Sequence, residues 1–259
     1  MTEHKMHEPE WISESVLRIL ICAFALAFAR TGEAQWGSIK GVVKVDKPVP
    51  GLPPVVKKRD ATAKDAAVCA AADIPNESVL VDPRSSGLAN VVVFLAKRPG
   101  VIHPDLANGQ SQAADFQVKG CRFVPHVLVV HTGQEILISS NDQIGHNIHP
   151  YPFKNKVSRE VFLNPTSVLV LGIPEQQPIK VGCDIHPWME AYWVVLDHPY
   201  ASLTNATGEF EIRNLPVGDH EFRIWHERAG FLDSAHKIAV KEGMNPLDPI
   251  VFSTAKLDR

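Results

Sequence analysis

Apolar residues in this chain almost never recur at the helical period; they come in short, β-branched runs closed off by Gly, Pro, Asn and Asp. The readable runs are Ser38 to Val45, Ala89 to Leu95, Val127 to Val130, Glu135 to Ser139, Ser167 to Leu171, Ile179 to Val181, Ala191 to Leu196, Glu209 to Ile212 and His220 to Trp225. Runs this short, bounded by turn residues, read as strands, whereas a helix needs roughly ten residues of sustained 3.6 periodicity. The pattern predicts an all-β fold built of sandwiches. With 45% apolar residues in a chain of 259, there is material for one or two packed cores.

Charge narrows the function classes. Lys plus Arg is 26 and Asp plus Glu is 29, so the basic excess that a phosphate-tracking nucleic-acid binder needs is missing. Near the start, Ile19 to Ala29 is an apolar run preceded by Arg18 and followed by Gly32-Glu33-Ala34, the pattern of a secretory leader cleaved before Gln35. The alternative is a buried N-terminal helix or an uncleaved anchor, and Met6 is a second candidate start. On the leader reading residues 1–34 are removed, Cys22 with them, leaving 23 basic against 24 acidic side chains and no membrane span. The expected location is periplasmic or secreted. Three cysteines then remain, Cys69, Cys121 and Cys183, an odd number that asks for one pair and one thiol with another task.

The chemistry concentrates in Gly182-Cys183-Asp184-Ile185-His186-Pro187-Trp188-Met189, with His146-Asn147-Ile148-His149 upstream. A thiolate, two imidazoles and a thioether form the soft donor set that suits a single one-electron copper ion. Zinc is more often given a second Cys, a third His or a carboxylate. Cys-x2-His-x2-Met on one tight loop between two strands lets three side chains converge, and a fourth donor from another strand closes the site.

At these residues the sequence resembles the cupredoxins, the type 1 blue copper proteins of the plastocyanin and amicyanin kind, over roughly Leu88 to Asp197. The stretch from Cys121 to His149 looks like the family's strand, turn, strand, Asn-Asp loop and His-Asn motif, and Cys183 to Met189 has the short ligand loop of the amicyanin type. The resemblance implies a Greek-key sandwich with His146, Cys183, His186 and Met189 as metal ligands and Asn147 tying the two ligand loops together. His149 is the alternative to His146. It also implies that the edge of His186 protrudes through an apolar patch, here Pro187, Trp188, Pro150 and Tyr151, where a redox partner protein docks briefly. His126 and His131 are further histidines near the site in sequence.

From Pro199 onward the text resembles a carboxypeptidase regulatory-like, transthyretin-like sandwich, carried by Asn205, Gly208, Phe210, Leu215, Pro216 and Gly218. Its usual opening strand looks like Gly37 to Val45. The expected organisation is therefore a leader at 1–34, an opening strand and linker at 35–87, a copper domain at 88–198 and a small second β-sandwich segment at 199–259. The alternative is one decorated sandwich. Pro48 to Asp60, with four Pro, reads as a long loop, and the Ala-rich stretch 61–72 as a helical turn or two. Cys69 and Cys121 have no His at metal spacing and are expected to form a disulfide; the alternative is two isolated thiols. The triplets at Asn76 and Asn205 match glycosylation acceptors, which are common by chance.

These readings point to an exported one-electron carrier rather than an enzyme. Two alternatives stay open: a copper capture or delivery protein, and a surface binding module with a vestigial metal site.

Overall fold

The computed structural model describes residues 35–107, 112–157, 161–162 and 166–257; the leader reading lies outside them. The fold is all-β, with four sheets that stack through three apolar clusters. Helix among the described residues is confined to short turns such as Ala66–Cys69 and Pro104–Ala107.

The chain enters on strand Trp36–Val45, which pairs antiparallel with Glu209–Pro216 and parallel with Gly243–Pro246 and Ile250–Phe252. The first strand is thus completed by the last third of the sequence. A second sheet runs Ala201–Leu203, Val92–Leu95, Gly218–His226, Gly230–Val240. Between these two sheets lie Ile39, Val43, Leu88, Val93, Phe210, Ile212, Phe222 and Ile224.

The other half holds a sheet ordered Val127–His131, Glu190–Leu196, Ile179–Gly182, Asn147–Pro150, Val161–Phe162, and a sheet ordered Phe123–Val124, Ala114–Val118, Glu135–Ser140, Thr166–Val170. Their shared core is built on Phe116, Phe123, Ile136, Ile138, Ile148, Val181 and Trp193. Phe116 meets Trp193 edge to face at 5.0 Å between ring centroids.

Two strands explain why the halves adhere. Val91, Val93 and Leu95 enter the first core, while Val92 and Phe94, on the opposite face, enter a third cluster with Val127, Val194, Leu196 and Trp225. Strand Glu190–Leu196 does the same, sending Ala191, Trp193 and Val195 one way and Val194 and Leu196 the other. Side chains alternate across a strand, so a strand buried on both faces must be apolar at successive positions, as VVVFL and WVVL are. The strand Val92–Leu95, expected in the copper-type stretch, pairs instead with Ala201–Leu203 and Gly218–His226.

The Pro-rich linker is not a spacer. Val55 N–H donates to the Ile74 carbonyl and Ile74 N–H to the Val56 carbonyl, pinching 57–73 into a closed loop. Val56, Cys69, Ala70 and Ile74 are buried in the core built on Phe116 and Trp193. A disulfide joins Cys69 to Cys121, 52 positions apart, and Cys183 is a free, buried thiol.

Candidate metal centre

Strands Ile179–Gly182 and Glu190–Leu196 form an antiparallel hairpin with Gly182 opposite Glu190, so residues 183–189 are its connecting loop. The loop closes on itself: Cys183 N–H donates to the Met189 carbonyl at 3.3 Å and Met189 N–H to the His186 carbonyl at 2.9 Å. That geometry brings both ends of the loop and its middle to one point. Strand Asn147–Pro150 lies on the other side of Ile179–Gly182, with Gly182 opposite His149, and so delivers His146 to the same end of the sheet.

The ligand atoms of His146, Cys183 and His186 all lie within 4.8 Å of one another, and all three residues are buried. His186 Nδ1 is 3.8 Å from Cys183 Sγ, and the two imidazole centroids are 4.7 Å apart. His146 Nδ1 is buried with no hydrogen-bond partner. A buried polar nitrogen left unpaired is costly, and this one belongs to a ring grouped with a free thiol and a second imidazole. These donors fit a soft metal ion. Met189 is buried to 1% exposure.

Carboxylates hold the outer edges of both imidazoles. Asp142 Oδ2 lies 3.1 Å from His146 Nε2 and also accepts from Cys121 N–H at 2.7 Å, while its Oδ1 takes Gly120 N–H. Asp65 Oδ2 lies 3.0 Å from His186 Nε2. Burial and the neighbouring His186 imidazole push the His146 pKa down, against the pull of Asp142. Such partners fix the ring orientation of a metal-binding His and leave the other nitrogen's lone pair free.

Asn147 joins the two loops: its side-chain NH2 donates to Asp184 Oδ2 at 2.7 Å and its carbonyl oxygen accepts from Asp184 N–H at 2.8 Å. His149 faces away from the cluster, with Nδ1 on Asp184 and its ring stacked on Tyr151 at 4.2 Å. His126 is bound to Glu227 at 2.7 Å, and His131 lies on the neighbouring strand; neither joins the cluster.

One expectation is corrected. The His186 edge does not protrude: the side chain is 0% exposed and its outer nitrogen is taken by Asp65. The physical reason is the loop 57–73, which the disulfide and the Val55–Ile74 pinch hold over that face. Pro150 is buried as well, leaving Pro187 and Tyr151 exposed and Trp188 half-buried, its indole N–H donated to the Cys121 carbonyl at 3.1 Å. The sequence reading missed Asp65, Asp142 and Asp184. An Asx-rich turn just before His146 was the available signal for Asp142; Asp65 had none, being 121 positions from its partner.

No family model matches this sequence and no curated protein matches it. Among solved structures it is similar to the purple cupredoxin of Nitrosopumilus maritimus, with 19% identity, covering 32% of this chain and 98% of that one at a TM-score of 0.26. It is similar to the amicyanin of Paracoccus versutus, with 10% identity, 40% and 96% coverage and a TM-score of 0.28. A copper-containing nitrite reductase of Thermus scotoductus matches at 16% identity and a TM-score of 0.27, and the chain spans 25% of that enzyme's length. At these TM-scores the likeness carries no chemistry; the side chains do.

Proposed function

We propose that this protein is an exported type 1 copper protein that carries single electrons between partner proteins. One observation carries the reading: His146, His186 and the Cys183 thiol, all buried, each bring a ligand atom within 4.8 Å of the others, with one nitrogen of each imidazole already occupied by a carboxylate. His146, Cys183 and His186 would hold the ion and the Met189 thioether would be its weak fourth donor. Copper bound there supplies a one-electron couple. The chain's own part is rigidity. The hairpin closes the 183–189 loop, Asn147 and Asp184 lock the two loops together, and Asp142 and Asp65 fix the rings, so the donors need not move between oxidation states.

The buried His186 works against delivery by ligand exchange, which needs an acceptor's donor atom to reach the metal. Electrons need only proximity. The Cys69–Cys121 disulfide supports an oxidising compartment, and no helix among the described residues is long and apolar enough to cross a membrane. Docking of a redox partner protein would use the exposed Pro187 and the half-buried Trp188. The flanking sandwich of Trp36–Val45 with 199–257 is read as the regulatory-like module, buttressing the copper-type half through the shared cluster around Phe94.

The test is the optical and EPR spectrum of the Cu(II)-loaded protein. An intense thiolate-to-copper band that Cys183→Ser abolishes supports the reading. Copper binding without that band, or a band that survives Cys183→Ser, overturns it.

A further inference from the structure

We propose that Asp65 is a positioning residue for the metal centre, presented by a disulfide-stapled cap. The inference deepens the copper reading and rests on it. Asp65 belongs to neither strand that carries the ligands; it reaches His186 from a loop 121 positions upstream.

Four observations converge on this role. The cap is closed at its neck by the paired hydrogen bonds between Val55, Val56 and Ile74 and seated in the core by Val56, Cys69, Ala70 and Ile74. The disulfide anchors its short helix to Cys121, whose carbonyl takes the Trp188 indole N–H and whose own N–H is held by Asp142, the partner of His146. The cap is therefore fastened to the partner of His146 and to Trp188, whose ring lies 5.3 Å from that of His186. Asp65 itself sits in the left-handed region at φ 53°, a conformation that Asp tolerates better than most residues. Finally, its carboxylate, still 32% exposed, meets an imidazole that is fully buried. The carboxylate thus links the buried ring to the surface, where the Lys64 ammonium lies 3.8 Å from the same Oδ2.

A carboxylate on Nε2 makes that nitrogen the N–H donor, which leaves the Nδ1 lone pair facing Cys183. Without Asp65 the buried ring loses its carboxylate partner at Nε2, and either tautomer becomes available. The effect is a choice of tautomer and a closed door, both made before any metal arrives.

Asp65→Gly is the sharpest variant, because glycine accepts the positive φ and only the carboxylate is lost. Asp65→Asn keeps an acceptor oxygen at the same place. In the metal-free full chain, 15N NMR of the histidines should show His186 as the Nε2–H tautomer with slow N–H exchange in the wild type and in Asp65→Asn. In Asp65→Gly the ring should show mixed tautomers and fast exchange. With copper loaded, transfer of Cu(I) to a bathocuproine chelator should be about 10- to 100-fold faster in Asp65→Gly, the usual scale for losing such a partner, and near wild type in Asp65→Asn. Identical tautomer, exchange and release in all three proteins would overturn the role of Asp65. A wild type that takes up no copper would sink the copper reading alone, since the NMR comparison still decides whether Asp65 orients the ring.

Discussion

Replacing both Cys69 and Cys121 by alanine removes a cross-link between residues 52 positions apart. In the chain-entropy model, a loop of that length opened in the unfolded state costs about 4 kcal/mol of stability at 25 °C. Both sulfurs are buried, so alanine leaves small voids rather than stranded polar groups, and the entropy should dominate. For guanidinium unfolding with a slope of roughly 4 kcal/mol per molar, the midpoint of the metal-free protein should fall by about 1 M. Tryptophan fluorescence reports both halves, through Trp36 and Trp225 in one and Trp188 and Trp193 in the other. Trp193 is fully buried in the copper-type core, and Trp188 leans on the Cys121 carbonyl beside the cap. A midpoint unchanged within about 0.2 M, at an unchanged slope, would refute the reasoning. It would mean that the unfolded chain already holds these residues together.

Other outcomes follow from the same geometry. Met189→Leu should keep the thiolate colour and raise the potential, because losing a weak thioether disfavours Cu(II) more than Cu(I); voltammetry that shows no rise argues against Met189 as a donor. The Glu227 carboxylate raises the pKa of half-buried His126 despite desolvation. That contribution is full below the unfolded value near 6.5 and is lost as pH rises through the higher folded one, so unfolding midpoints should fall on that side and Glu227→Gln should flatten the fall. Burial, His126 and Arg228 hold His226 down to about 4, so its contribution is present above about 6.5 and is lost as pH drops toward 4. Gly87→Ala should destabilise by about 3 kcal/mol or prevent folding, because a methyl there would run into the Thr207 carbonyl where the first strand, Leu88 and Gly208 meet; a thermal melt decides it.

What could be read from the sequence was local. The apolar runs 89–95 and 191–196 announce strands, and strands they are; their burial on both faces, with Val93 and Phe94 in two different cores, is what the structure adds. Which strand pairs with which was not legible. Val92–Leu95 adjoins the copper-type stretch in sequence but hydrogen-bonds to segments more than a hundred residues downstream, and no neighbouring residue encodes that choice. The site divides the same way. The Cys183 to Met189 loop carries its own spacing, so its convergence is visible in one line of text, whereas the burial of His186 depends on a loop that precedes it by 121 positions. Exposure of a side chain is a property of what folds over it, and here that cover is remote.

The opening strand has a consequence for how the molecule comes to exist. Trp36–Val45 bridges early to 86–88, with Lys44 opposite Gly87, but its ladders among the described residues are made with 209–216, 243–246 and 250–252, so these stay open until the last part of the chain is present. The copper-type core draws on residues 56–195 and lacks nothing that comes later. A chain made from its N-terminus should therefore assemble its interior half first, while strand Trp36–Val45 waits with most of its edge open. Pairings of such long reach are slow to form, and an unpaired edge is where chains stick to one another. The hazard for this protein falls late, in the interval between closing the half that holds Cys183 and recruiting the strands at 209–252.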